Sequence, residues 1–596
     1  MVKNTDIENI RHSFAHLLAA AVKKLYPGAQ FGIGPVIENG FYYDFGNLKV
    51  TDADFPRIEK EMRAIASQNL SFKKELWPAK KAAAHFKKLN QSFKIELIKD
   101  LTAKAKSLNT KYKILDTKVG MVYTGDAFLD LCRGGHVKNT KDLHLEGFAL
   151  TKVAGAYWRG DAQNAMLMRI YGVSFETKQE LEKYTAMLRE AEARDHKRLG
   201  RELGLFVFSE HVGPGLPLYT PKGTGILSQI KRYSQGLREK IGYQLVQTPQ
   251  INKRVLFELS GHYEKYKDDM FHVRSNYTQE EYFLKPMNCP QHTQIYASQQ
   301  RSYKDLPVRF ADFSLLYRDE KPGELNGLTR LRSFSQDDGH CFCAEDQIEE
   351  EFSRVLEVIE QAMKTYSLAY WIRLSLRDEK NKKKYLGSDA TWKKSQQLMR
   401  ALLEKRNVNF KAVEGEAAFY GPKMDLMVQD SLGREWQLST IQLDLNMPGR
   451  FGLEYTGMDG KKYTPVMIHS ALVGSPERFF GMLIEHYAGA FPLWLSPEQV
   501  WILPVSDKFL AFAQKVRTEL LQKDKNLRIA IREENETLGK KIREGQMQKI
   551  PYLVIVGEKE EQQGTISVRD RHKGDLGQTT FEAFSAMLAE QIQRKQ

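Results

Sequence analysis

Hydrophobic positions in the first stretch, IENIRHSFAHLLAAAVKKLYPG, recur at helical spacing: Ile10, Phe14, Leu17 and Ala21 share one stripe, and Pro27-Gly28 stops the pattern. The spacing predicts a helix, followed by a turn-rich β region around GIGPVIENGFYYDF. The run TKQELEKYTAMLREAEARDHKRLGRELG is charge-laced, rich in strong helix formers and closed by Gly200 and Gly204, which predicts an exposed linker helix. Short alternating strands then dominate, as in LPVRFADFSLLYRDE, LTRLRSFSQDD and EWQLSTIQLDL, and predict an antiparallel sheet decorated by helices. Near the C-terminus VWILPV, LRIAI and PYLVIVG are compact apolar strands between helical stretches, the pattern of a small α/β domain with a largely parallel sheet. The expected plan is an α+β multidomain chain: domains at 1–175, 204–495 and 496–596, with a linker helix at 176–203.

Composition narrows the partners. With 42% hydrophobic and 28% charged residues among 596, the chain is neither disordered nor fibrous. A net charge of +14 favours a polyanionic partner, nucleic acid first, because cations placed on phosphates release condensed counterions. Four cysteines are too few for a disulfide scaffold, which points to a reducing compartment. The start MVKNTDIENIRHS has no apolar signal region, and no uninterrupted apolar run is long enough to cross a bilayer. A cytoplasmic protein with no membrane partner is the expectation.

Three regions carry candidate chemistry. In FADFSLLYRDEKPGELNGLTRLRSFSQDDGHCFC, Arg318 and Glu320 end one strand, and Arg330 and Arg332 alternate on the returning one. Planar guanidinium suits a phosphate that gains charge during displacement. In VMIHSALVGSPERFFGMLIEHYAGAF a strand runs into a helix with Ser475 as N-cap and Pro476 in the first turn, so Arg478 lies where sheet meets helix.

Cys289, His340 and His469 are ligand types from three separated segments, and three protein ligands suit a zinc site with one open position. Spacing does not select them, since His292, Cys341 and Cys343 are equally eligible. His12 and His16 are four apart on a helix, turned away from the apolar stripe, which reads as a solvated face. DLCRGGHV adds Asp130, Cys132 and His136, and three histidines with a cysteine equally describe a tetrahedral zinc site.

The segments around YRDE and SPERF resemble motifs 2 and 3 of class II aminoacyl-tRNA synthetases, and LVQTPQINKRVLFELSGH, with Pro249, resembles motif 1. KPMNCPQH, FSQDDGH, YGPKMDL, WQLSTIQLD and VMIHSALVGSPERF are similar to the catalytic domain of the threonyl-tRNA synthetase family, and the similarity extends over essentially the whole chain. Gln291 stands where the family usually has Gly. The resemblance implies an antiparallel class II core, an α+β N-terminal editing domain and a C-terminal α/β anticodon-binding domain. It implies a form without the small ubiquitin-like module that many members carry first, and, through motif 1, a homodimer.

The residue roles that follow are implied by that resemblance. Cys289, His340 and His469 would hold one Zn2+ per subunit, and ATP would bind with Mg2+. Arg318, Glu320 and Arg478 would handle ATP; Gln336, Asp338, Tyr420, Lys423 and Arg330 would surround the substrates; His262 and Gln437 would assist transfer to tRNA(Thr). L-threonine and valine are nearly isosteric, and a plain pocket separates such pairs by about 1–3 kcal/mol, so a metal that takes the amino and hydroxyl groups has a purpose. Serine carries both groups, so a second sieve is needed. HSFAHLL, DLCRGGHV and AGAYWRGD resemble the editing domain that hydrolyses mischarged seryl-tRNA, with His12, His16, Asp130, Cys132 and His136 in its pocket. Asn535, Glu560 and Arg569 match the family's anticodon readers. Another synthetase, such as a prolyl enzyme, is disfavoured by the Cys289, His340 and His469 set. A non-catalytic RNA-binding paralogue is disfavoured by Arg318, Glu320 and Arg478.

Overall fold

The computed structural model describes residues 5–108, 118–161, 163–430 and 433–595. The chain forms two compact units, Met1–Arg189 and Glu190–Gln596.

In the first unit the helix Thr5–Leu25 is apolar nearly all round, SFAHLLAAAV, and every residue from Ser13 to Val22 is buried. One side packs on a sheet ordered Gln30–Phe31, Gly40–Gly46, Met166–Ser174, Phe148–Tyr157; the other meets a smaller sheet, Phe72–Pro78, Lys118–Thr124, Phe128–Leu131. This corrects the solvated face expected for His12 and His16. His16 is 2% exposed, because the second sheet covers the side of the helix that the apolar stripe leaves free.

The stretch expected as one exposed linker helix is two helices, Lys178–Arg194 and His196–Glu202, broken where Asp195 caps the second through the N–H groups of Lys197 and Arg198. His196, Leu199 and Gly200 in the second are buried.

The second unit is built on an eight-stranded sheet running from Gln244–Leu245 through Val308–Asp312, Asp338–Cys343, Val466–Ala471, Glu435–Asp444, Lys423–Gln429 and Ala369–Leu376 to Phe410–Glu414. Only the two edge pairings are parallel. Helix Ile348–Thr365 covers one face through Ile348, Phe352, Val355, Ile359 and Met363, an i, i+4, i+7 stripe, together with Pro221–Lys240 and Pro476–His486. Because side chains alternate across a strand, Cys341, Cys343, Ile468, Ile441, Leu443, Met424 and Leu426 enter that core. Asp338, His340, His469, Gln442, Asp444 and Lys423 emerge on the opposite face.

The C-terminal part of this unit has its own sheet, in the order Ile529–Ile531, Val500–Pro504, Tyr552–Val556, Ile566–Asp570, Gly574–Thr579. Two pairings are parallel and two antiparallel, so the largely parallel expectation holds for its first half alone. The strands after Val556 return through short connections, which permit only antiparallel pairing. No described helix is long and apolar enough to cross a membrane.

Candidate active sites and metal ligands

Register across the large sheet assembles the site. Phe310 pairs with His340, His340 with His469, His469 with Gln442 and Gln442 with Lys423, a row of four strand-to-strand steps on one face. The neighbouring row on that face runs Asp312, Asp338, Ala471, Thr440, Asp425. Cys289 reaches the rows from outside the sheet, as the first residue of helix Cys289–Ala297 with Pro290 behind it.

The ligand atoms of Cys289, His340 and His469 all lie within 4.8 Å of one another, and all three residues are buried. His340 Nε2 and His469 Nδ1 are 3.0 Å apart. Each ring is held from behind: His469 Nε2 lies 3.1 Å from Asp444 Oδ2, and His340 Nδ1 lies 2.7 Å from His292 Nδ1. With its outer nitrogen donating to a carboxylate, His469 presents a bare Nδ1 inward, the arrangement that orients metal-bound imidazoles. Burial first, then Asp338 and Asp444, push the Cys289 thiol well above its usual range, and burial, then His292 and His469, hold His340 well below its own. A cation is what would favour the thiolate here, so the donor set fits zinc. The core-facing Cys341 and Cys343 are removed from the ligand candidates by the pleat, and His292 stands behind His340.

The adjacent aspartates of QDDGH divide by the same alternation. Asp337 is fully buried and binds Arg238 at 2.7 Å and the N–H groups of Leu472 and Val473 at 3.0 and 2.9 Å, a wholly structural post. Asp338 faces the site, 3.2 Å from Asn288 Nδ2, and burial raises its carboxyl. Tyr420 stacks on His469 with ring centroids 4.6 Å apart, and its hydroxyl donates to Gln442. Asp425, fully buried, gathers Lys423 Nζ at 2.9 Å, Arg373 at 3.0 Å, Ser375 at 2.7 Å, and Gln437 and Thr440 at 3.0 and 3.1 Å. Gln437 is thereby committed on both sides, since its carbonyl accepts from Arg373 at 2.9 Å.

Beside this patch a cavity of about 470 Å³ is lined by Arg318, Glu320, Arg330, Gln336, Gln437, Gln442 and Arg478. Ser475 caps its helix through the Arg478 N–H, as expected. Arg478 is exposed on the cavity, and the surrounding protein, then Arg330 and Arg318, lower it. Arg318 and Arg478 have no carboxylate partner among the described residues, and such unneutralised cations in a cavity suit an anion. Glu320 is tied to Arg330 at 2.9 Å, and Arg330 also reaches Glu324 at 2.8 Å. Arg330 and Arg332 precede the returning strand, Ser333–Ser335, and do not alternate on it: Arg332 instead binds the Glu320 carbonyl at 2.9 Å. His262 lies at the edge of the metal trio, with Nε2 3.6 Å from Cys289 Sγ and Nδ1 2.8 Å from Ser260 Oγ; burial lowers it to about 3.

The first unit holds a second cluster. His12, His16, Cys132 and His136 have ligand atoms within 4.8 Å of one another. Cys132 Sγ is 3.4 Å from both His12 Nε2 and His136 Nε2. Gly134 and Gly135, at φ 99° and 91°, reverse the chain so that His136 folds back over Cys132. Asp130 accepts from Tyr43 at 2.6 Å and pairs with Lys94, while His16 Nδ1 is buried without a partner. Burial lowers His12 against the Gly135 carbonyl and Asp130, and burial reinforced by repulsion from neighbouring histidines lowers His16 and His136, the last to about 2; burial raises Cys132. These shifts favour neutral imidazoles and an un-ionised thiol over a thiolate–imidazolium pair.

In the C-terminal part Asn535 is exposed on the loop before helix Leu538–Met547 and Arg569 lies on the strand Ile566–Asp570, 3.6 Å from Asp575. Glu560 is 9% exposed, not solvated: it accepts from Gly557 N–H at 3.0 Å and Ser567 Oγ at 2.8 Å, which fixes a helix start.

Sequence reading missed Gln442, Asp444 and Asp425, and held His292 only as a rival ligand. The alternation in TIQLD was a usable signal for two of them, since Gln442 and Asp444 must share a face with Thr440.

The family model for the class II core domain of tRNA synthetases (G, H, P, S and T) matches residues 271–487, and an anticodon-binding domain matches 499–591. The antiparallel sheet with its unpaired arginines thus defines a class II aminoacyl-tRNA synthetase. The second additional domain of threonyl and alanyl tRNA synthetases matches 119–171. The threonine–tRNA ligase of Bacteroides fragilis is 46% identical over 98% of this chain and 88% of its own, and that of Cytophaga hutchinsonii 45% over the same shares. The crystal structure of the RNA binding domain of threonyl-tRNA synthetase from Cryptosporidium parvum superposes with a TM-score of 0.63 and 34% identity, covering 67% of this chain and 98% of that one. The chain belongs to the threonine–tRNA ligase family.

Proposed function

We propose that the chain activates threonine with ATP and transfers it to tRNA(Thr), and that it hydrolyses seryl-tRNA(Thr) in its N-terminal part. The observation that carries this reading is one sheet face on which His340 and His469 meet Cys289 from a neighbouring helix, beside a cavity with two unneutralised arginines. The threonine carboxylate attacks the α-phosphorus of ATP and pyrophosphate leaves. Arg318 offsets charge at the α-phosphate, Arg478 covers the adenine and the γ-phosphate, and Glu320, released from Arg330, meets the adenine amino group. Zinc bound by Cys289, His340 and His469 supplies Lewis-acid recognition of the threonine amino and hydroxyl groups, and Mg2+ accompanies ATP. Asp338 and Gln336 face the amino group, with Tyr420 and Lys423 closing the pocket. His262 and Gln437 assist the attack of the tRNA ribose hydroxyl on the adenylate.

His12, His16, Cys132 and His136, with Asp130 holding Lys94 behind them, position the ester and a water; their neutrality supports positioning over nucleophilic attack by Cys132. The minority reading is a metal held by this set: Gly135 and Ser13 engage the outer nitrogens of His12 and His136, and both Nε2 atoms face Cys132. Asn535, Glu560 and Arg569 read the anticodon, with Glu560 acting from a fixed position. The domains are 1–175, 204–495 and 496–596, joined through 176–203, in a cytoplasmic homodimer.

The test is amino-acid-dependent ATP–pyrophosphate exchange on metal-analysed protein. Exchange with threonine and about one zinc per chain are expected; exchange with proline alone, or no bound zinc, overturns the reading. For editing, His12→Ala and His136→Ala are expected to abolish deacylation of seryl-tRNA(Thr), and unchanged deacylation removes the pocket assignment.

A further inference from the structure

His196 opens the second helix of the segment expected to be a plain linker, and only 2% of it is exposed. Its Nδ1 lies 2.6 Å from Glu485 Oε1, and its backbone N–H donates to the same oxygen at 3.1 Å. Across the ring, Nε2 accepts from the Leu328 backbone N–H at 3.0 Å. An amide N–H can only donate, so Nε2 is bare and the proton sits on Nδ1. Both ring nitrogens are therefore used, and Asp195 is spent on capping, so these acidic neighbours do not form a cation site.

The two partners belong to the two halves of the ATP cavity. Glu485 is in the helix Pro476–His486, whose first turn carries Arg478. Leu328, itself 1% exposed, is in the loop that runs from Arg318 to Ser333 and carries Glu320 and Arg330. The loop sits directly on the ring. A Cβ at Gly327, where φ is 49°, would lie 2.1 Å from His196 Nε2, and Lys197 Nζ donates to Asn326 Oδ1 at 3.2 Å.

We propose that His196 is a positioning residue for ATP, which clamps the loop bearing Glu320 and Arg330 to the helix bearing Arg478. The inference deepens the function proposed above and rests on it. His196 touches no substrate and acts through Leu328 and Glu485. Without its acceptor the Leu328 N–H is buried unpaired, and the loop must shift to reach water. In the threonine pocket Asp338, His340, His469 and Lys423 stand on sheet strands and Cys289 on a separate helix, so it does not share that dependence.

The experiment compares full-length His196→Ala, His196→Asn, His196→Gln and Gly327→Ala in threonine-dependent exchange, with calorimetric binding of Mg2+–ATP alongside. Asn places a donor where Nδ1 was and reaches Glu485 alone; Gln places its amide near Nε2 and can accept from Leu328. The Ala and Asn variants and Gly327→Ala are expected to raise the KM and Kd for ATP about tenfold while the threonine KM stays within about twofold, with Gln recovering most of the loss. Equal losses for both substrates, an unchanged ATP Kd, or recovery by Asn but not Gln would overturn the clamp. If the wild type activates another amino acid, the function proposed above fails, and the clamp is still judged by the ATP Kd.

Discussion

His340 Nε2 and His469 Nδ1 face each other at 3.0 Å from directly paired positions on neighbouring strands. Two imidazoles at that separation, with Cys289 closing the triangle, leave room for one cation and one open side. Removing Cys289 or His469, as Cys289→Ser or His469→Asn, is expected to strip the bound zinc and abolish threonine-dependent exchange. Cys341→Ala, on the core face, is expected to keep the metal and cost about 1 kcal/mol of stability. Metal analysis by emission spectroscopy reads both; zinc lost from Cys341→Ala and kept by Cys289→Ser would reverse the assignment.

Asp444 orients His469 from behind while its other oxygen accepts from the N–H groups of Asn446 and Met447 at 2.8 and 2.9 Å. Asp444→Asn can keep those turn bonds but loses the charge on the imidazole. Zinc affinity, measured by competition with a chelator, is expected to fall about 10- to 100-fold with secondary structure unchanged. An unchanged affinity removes Asp444 from the site.

Asp425 is the buried anion on which Lys423, Arg373, Gln437 and Thr440 converge. Deleting it leaves Lys423 without its counter-ion and Arg373 with only the exposed Glu416 at 3.5 Å. Asp425→Ala is expected to destabilise by about 3–5 kcal/mol, read as a lowered unfolding midpoint. Thr440→Ala, which removes one of the bonds to that carboxylate, should cost about 1 kcal/mol by the same measure.

Burial lowers His136 from its usual value to about 2. A group whose folded pKa lies below its unfolded one adds nothing to pH dependence above the unfolded value near 6.5. Below it the unfolded chain binds a proton that the fold refuses, so stability falls by about 1.4 kcal/mol per pH unit per histidine until the folded pKa is reached. Urea unfolding of the first unit in the full-length protein should weaken from pH 6.5 downward, and His136→Asn should flatten that slope. A slope identical in the variant would show that His136 is protonated in the fold.

Cys132, raised by burial and set between two neutral imidazoles, should resist iodoacetamide at neutral pH and label only as the pH passes the ordinary thiol range. Rapid labelling at pH 7 would reveal a thiolate and return the cysteine to candidacy as a nucleophile.

What the sequence determined by itself was local and periodic. The stripe of Ile10, Phe14, Leu17 and Ala21, the Ser475–Pro476 helix start and the alternating strands of the large sheet follow from spacing and capping, which act within a few residues. The ligand trio was legible through resemblance, not spacing, because Cys289, His340 and His469 come from three segments that only the sheet register brings together. That register alone decided that Cys341 and Cys343 face the core, that Asp337 and Asp338 part ways, and that Gln442 and Asp444 join the site. The buried His16 and the clamped His196 were hidden for a related reason. A helix pattern states which side is apolar, but whether the other side meets water or a second layer of protein depends on chain distant in sequence, as the small sheet over His16 and the loop over His196 do here.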